Sequence, residues 1–137
     1  MAAKRRKVKG RAEKGRFLAI PYNVWLHHDF VSSSPKATKL LIDLYGQYNG
    51  SNNGDLILTK DFLKTRGWNS VSQIYKARDE LLERGLIVVA RQGGRNRCSL
   101  YAVTWKNIDE CKGKLDINST VANYRVFNAL VPNMRAA

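Results

Sequence analysis

Apolar residues recur at helical spacing in several stretches of the chain and gather into short β-branched runs in others. In "SSSPKATKLLIDLYGQY", Ala37, Leu40, Leu41, Leu44, Tyr45 and Tyr48 keep helical spacing. Ser34 suits the cap, and Pro35 suits the first helical position, where its missing N–H has no intrahelical partner to lose. This predicts a core helix. Upstream, "RFLAIPYNVWLHHDF" reads as a short helix from about Pro21 to His28. "NGSNNG" is turn chemistry, and "DLILT" after it has the length of a single strand. Thr59 then caps "KDFLKTRG", with Phe62 and Leu63 on one face before Gly67 imposes a bend. The next helix starts near Asn69 or Ser70, with Val71, Ile74, Tyr75, Ala77, Leu81 and Leu82 as its packing stripe and Gly85 as its stop. "LIVVAR" and "SLYAVTW" flank "QGGRN", which predicts a β-hairpin with a glycine-rich tip. Past Trp105 the periodicity fades, apart from "NYRVFNAL", a short helix or strand.

The order helix, strand, helix, tight turn, helix, strand, hairpin tip, strand is that of an α+β winged helix-turn-helix, with a three-helix core and a small antiparallel sheet whose hairpin forms the wing. The predicted organisation is a disordered basic arm over 1–16, a winged-helix domain over 17–105 and a C-terminal extension over 106–137.

Charge sharpens this picture. The chain has 137 residues and a formal net charge of +13. "MAAKRRKVKGRAEKGR" holds eight bases and one acid, a density that self-repels and offers little to bury. Residues 17–105 carry 11 bases against 7 acids, so the arm supplies over half of the excess. Such a balance draws a chain to phosphate-rich surfaces, nucleic acid or anionic lipid. No apolar run approaches the roughly 20 residues of a membrane span, and no apolar stretch follows the basic start as in a secretory signal. The expectation is a cytoplasmic, nucleoid-associated protein, although "KRRK" would also serve nuclear import. Cys98 and Cys111 stand 13 positions apart with no CxxC pair, so two reduced thiols are expected rather than a disulfide or a zinc site.

A helix entering a major groove meets base edges with its N-terminal residues, which must be short and polar. "NSVSQIYKAR" meets that demand. Asn69, Ser70 and Ser72 suit phosphates or bases, Gln73 suits adenine, Lys76 suits guanine or the backbone, and Arg78 lies at the stripe's margin. Asp79, Glu80 and Glu83 come later, where the helix would leave the groove. At the hairpin, Arg91, Arg95 and Arg97 surround two glycines and suit a minor groove or adjacent phosphates. Lys4, Arg5, Arg6, Lys7, Lys9 and Arg11 would add contacts blind to sequence.

"LTKDFLKTRGWNSVSQIYKARDELLERGLIVV" resembles the helix-turn-helix and first wing strand of small winged-helix proteins of proteobacterial phages and mobile elements. "FLAIPYNVW", "SPKATKLLIDL" and "NNGDLIL" extend that resemblance, more distantly to the N-terminal origin-binding domain of lambdoid O-type replication initiators. The resemblance spans about residues 16–110. It implies sequence-specific binding of double-stranded DNA, as a transcription regulator or a replication-initiation accessory. The fold also serves protein-binding and RNA-binding modules, so a protein partner in replication or transcription and an RNA ligand remain alternatives. A homodimer would suit such a regulator, with "NYRVFNALV" as one contact.

Other features have plainer readings. The polar face of the last helix is also what ordinary solvation requires, and arginines at a hairpin tip also solubilise it. "HHD" at His27–Asp29 reads as a packed or helix-terminal histidine pair, not a metal site, because no other ligand cluster accompanies it. Trp25, Trp68 and Trp105 read as core or helix-joint anchors, and the spacing of Tyr22, Tyr45 and Tyr48 favours burial. No nucleophile with its base, phosphate-binding loop or carboxylate pair is present, so neither catalysis nor a cofactor is expected.

Overall fold

The computed structural model describes residues 15–117. They form five α-helices and one two-stranded antiparallel sheet, an α+β arrangement. The arm residues Lys4 to Arg11 and the segment "NYRVFNAL" lie outside the described residues.

Two single-turn helices come first, α1 (Tyr22–Trp25) and α2 (His28–Val31). The spacing predicts one helix here, but the chain turns at Leu26 and His27. His27 then caps α2, its Nδ1 accepting the Asp29 amide at 3.0 Å. α3 (Pro35–Tyr45) forms as its pattern predicts. The Ser34 hydroxyl accepts the Ala37 amide, and Ala37, Leu40, Leu41, Leu44 and Tyr45 are buried.

"DLILT", expected to be a strand, makes a single bridge: Leu56 exchanges two backbone hydrogen bonds with Tyr101, at 3.2 and 2.8 Å. In that register Gly54 would face Val103. The Asn53 side-chain amide instead takes both backbone groups of Val103, at 2.9 and 3.1 Å, so the ladder stops there. On the other side Thr59 already caps α4 (Lys60–Lys64). Asn53 is wholly buried and also donates to the Lys106 and Asn107 carbonyls, which ties the loop to the end of the sheet.

Gly67 takes a φ of 94°, a region that L side chains resist, and the Trp68 amide folds back onto the Leu63 carbonyl. α5 (Val71–Glu83) follows, capped by Ser70. At its end the Leu86 amide reaches the Leu81 carbonyl and the Gly85 amide reaches Leu82, with Gly85 at φ 75°. This is the left-handed glycine stop that the sequence predicts.

β1 (Ile87–Arg91) and β2 (Leu100–Val103) form the hairpin, with a bulge at Ala90 between the Val89–Tyr101 and Arg91–Leu100 pairs. The bulge leaves the Ala90 carbonyl to accept the Asp116 amide, while the Asp116 carboxylate accepts the Gln92 amide, both at 2.8 Å. One sheet face, with Ile87, Tyr101 and Val103, joins α3 and α5 in the main core. The other face carries Ala90 and Ala102, covered by Ile108, Leu115 and Ile117. Packing therefore continues past Trp105, where the pattern placed the end of the domain.

Three expectations about burial are corrected. Val71 and Tyr75 belong to the predicted stripe of α5 but stand 37% and 53% exposed. Ile74, Ala77 and Leu81 alone form the buried line of α5; Val71 and Tyr75 point aside, onto an open cleft shared with Lys60, Ser99 and Tyr101. Trp68 and Trp105 are buried, whereas Trp25 is exposed; Tyr45 is buried, whereas Tyr22 is exposed. On the single turn of α1, Val24 takes the core-facing position, and Tyr22 and Trp25 on either side of it are left outward. Among the described residues no helix is long and apolar enough to cross a membrane. No group of three or more histidines, cysteines or acids there is arranged to hold a metal, and both cysteines are free.

Candidate nucleic-acid interface

The N-terminal half of α5 presents its polar residues to solvent. Asn69, Ser72, Gln73 and Lys76 are exposed, and Ser70 is half-buried. Ser70 works as a cap: its hydroxyl accepts the Gln73 amide at 3.3 Å and lies 3.0 Å from the Ser72 hydroxyl. Gln73 sits on the flank beside α3, where the Lys36 ammonium donates to its Oε1 at 3.3 Å. Lys36 is a group that sequence reasoning does not single out. Nothing in its local pattern marks it; only the packing of α3 against α5 brings it there.

Two acids, Glu80 half-buried and Asp43 buried, hold α5 in place. The Glu80 carboxylate accepts the Ser34 amide at 2.7 Å and the Ser34 hydroxyl at 2.8 Å, so a residue of α5 caps the N-terminus of α3. Partial burial pushes the Glu80 carboxyl up, but the Ser34 hydrogen bonds and Arg84 outweigh it and hold the group below its ordinary range. Asp43 on α3 accepts from Lys39 Nζ at 2.8 Å, Arg66 Nε at 3.0 Å and the Trp68 indole at 2.8 Å. Burial again acts upward on its carboxyl, and these three donors bring it below the usual value. The residues around Gly67 are thereby fastened to α3, which sets the angle at which α5 leaves the turn.

On its other flank α5 adjoins the hairpin. A cleft of about 310 Å3 runs between α4, α5 and the second hairpin strand, lined by Lys60, Val71, Tyr75, Arg78, Ser99 and Tyr101. Arg78 stacks over the Tyr75 ring at 4.7 Å and pairs with Asp79 through Nε and Nη2 at 3.0 and 2.9 Å. Burial acts against its charge, but Asp79 and the Tyr101 hydroxyl overcome this and raise its pKa. Arg78 is thus a braced cation beside an exposed ring.

The hairpin arginines divide by role. Arg91 is half-buried and donates from Nη2 to the Cys98 carbonyl at 2.8 Å, bracing the two strands. Arg95 and Arg97 are exposed at the tip. The turn there is tight: Gly94 and Arg97 exchange backbone hydrogen bonds of 3.0 and 3.2 Å around Arg95 and Asn96, and Asn96 takes a φ of 62°. Arg97 also reaches the Gln92 carbonyl at 3.4 Å. The sequence does not reveal Val71 and Tyr75 as surface groups, since their apolar character at helical spacing reads as core.

This arrangement offers hydrogen-bond donors and acceptors, two exposed apolar groups and several cations on neighbouring surfaces, with α5 fixed against α3 by the two acids. Comparison with protein-family models, curated proteins and solved structures finds no significant match to the chain.

Proposed function

We propose that the chain is a winged-helix protein that binds double-stranded DNA in a sequence-specific manner, as a transcription regulator or replication-initiation accessory of a phage or mobile element. The observation that carries this reading is the exposed N-terminal half of α5 standing beside a hairpin with a cationic tip. In this proposal α5 acts as the recognition helix. Asn69, Ser72, Gln73 and Lys76 enter the major groove, and Val71 and Tyr75 add apolar contact. Arg95 and Arg97 follow a neighbouring phosphate or minor groove, and Lys36 meets the backbone on the opposite flank. Arg91 and Arg78 act by bracing the hairpin root and the helix. The arm supplies charge without base preference.

Selection of bound sequences from a random duplex pool tests the reading. A recurrent motif is expected; enrichment of none, or equal competition by RNA of matched length, overturns it. Within a selected site, Gln73→Ala is expected to relax base preference at one position. Alanine at Lys4, Arg5, Arg6 and Lys7 together is expected to weaken all duplexes alike and lower the log–log salt slope by roughly 0.9 for each phosphate that is no longer neutralised. Titrations of cognate and scrambled duplexes at two salt concentrations check both. A second reading, capture of a protein partner on this surface, is favoured by one feature, the exposed Tyr75 ring with its stacked guanidinium.

A further inference from the structure

Lys36 stands where α3 gains nothing from it. It is the second residue of the helix, at the end where aligned peptide dipoles leave partial positive charge, so a cation there costs stability where an acid would add it. The side chain is exposed and spans to α5, where its ammonium donates to Gln73 Oε1 at 3.3 Å. Gln73 and Lys76, three residues apart and so on one side of α5, line with Lys36 a recess of about 460 Å3 between the two helices. The acid that lines it, Glu80, is already held by Ser34 and Arg84.

The contact decides which way the Gln73 amide faces. An ammonium offers only protons, so it meets the amide oxygen and not the nitrogen, and the Nε2 protons are left for a ligand. That changes what the side chain can recognise. Adenine presents an acceptor, N7, beside a donor, the N6 amino group, and a glutamine matches it by giving one proton and accepting another. Guanine presents two acceptors, N7 and O6, and needs only donors. The Gln73 oxygen keeps a second lone pair, but the adenine amino group would reach it against the Lys36 charge, 3.3 Å from the same atom. That charge attracts the guanine edge.

We infer that Lys36 determines specificity as a positioning residue: by holding the Gln73 oxygen it turns this glutamine from an adenine reader into a donor that selects guanine. The inference rests on the proposed placement of α5 in a major groove. Lys36 touches no base. Its remaining protons stay available to the DNA backbone, so one ammonium links a phosphate to the side chain that meets the base.

The base under Gln73 is the one whose preference Gln73→Ala abolishes in a duplex selected by the wild type, and guanine is expected there. Anisotropy titrations of the full chain then compare that duplex with one carrying adenine at the same position. Lys36→Met keeps the stem and removes the protons, and the guanine-to-adenine affinity ratio is expected to fall at least about fivefold; Lys36→Arg can still donate and should keep the ratio within about twofold of wild type. The thermal unfolding midpoint of Lys36→Met is expected not to fall, since a cation leaves the start of α3. Any other base under Gln73, a Gln73→Ala that alters preference nowhere, or a Lys36→Met that weakens both duplexes equally overturns the inference and leaves the DNA reading standing. A random duplex pool that yields no motif overturns the DNA reading itself, and the inference falls with it.

Discussion

Val71 and Tyr75 show how a residue's neighbours decide its role. Apolar residues on the first turns of a helix that also carries Ser72 and Lys76 are costly to leave in water, at about 0.8 kcal/mol for each CH2. In the proposed complex they meet thymine methyl groups. Replacing thymine by deoxyuridine in a selected duplex deletes only that methyl, so the wild type should lose about 1 kcal/mol at each contacted base. Tyr75→Ala should lose the preference at the one base its ring contacts and keep it at the base under Val71, and fluorescence anisotropy titrations with single thymine-to-deoxyuridine replacements read the difference. If the variant keeps the wild-type preference for thymine at every position, the ring touches no methyl. Asp43 illustrates the opposite case, a polar residue wholly committed to structure. Its carboxylate holds three donors from two segments, so Asp43→Asn should destabilise the fold by about 2 kcal/mol, read as the shift in a urea unfolding curve.

Among elements, the hairpin depends on close approach of its strands. A Cβ at Gly93 would meet the Ser99 nitrogen at 2.6 Å and the Cys98 carbonyl carbon at 2.8 Å, both backbone atoms that cannot swing away; at Gly94 a Cβ would meet open space. Gly93→Ala should therefore part the strands and cost stability on the order of 2 kcal/mol, while Gly94→Ala should stay within about 0.5 kcal/mol of wild type. Amide exchange at Gly94 and Arg97, which share the tip hydrogen bonds, separates the two. Fast exchange in Gly93→Ala with native exchange in α5 is the expected result; equal exchange in both variants would show that the tip tolerates the shift. The bulge at Ala90 and its clasp by Asp116 belong to this scale too, since together they join the hairpin root to residues beyond Trp105.

For the whole molecule, acid is the condition that loosens the helices from one another. Asp43 and Glu80 both titrate below their ordinary carboxylate values in the folded chain. A depressed pKa means that the unfolded state binds the proton first, so the stabilisation is complete above the unfolded value near pH 4 and is lost as pH falls through the lower folded value. Thermal unfolding followed from pH 7 downward should show a plateau and then a fall below about pH 4. Asp43→Asn should start lower and fall less steeply. A variant that parallels the wild type across the acid range would remove Asp43 from the account.

Much of this was legible in the chain. Ser34 with Pro35, Thr59, Ser70 and Gly85 act within a turn of their own positions, so the limits of α3, α4 and α5 follow from local chemistry. The hairpin follows from two β-branched runs around glycines, and the polar N-terminal half of α5 is where the pattern puts it. Tertiary structure decided what depends on distant partners. Asn53 ends the expected "DLILT" strand by taking the backbone of Val103, 50 residues away. Lys36 comes beside Gln73 only because α3 packs on α5, Arg91 spends its charge inside the hairpin, and Val71 and Tyr75 stay in water because α4, α5 and the hairpin leave a cleft open between them. A periodic pattern records which side chains seek cover; whether cover exists is set by the shape of everything else.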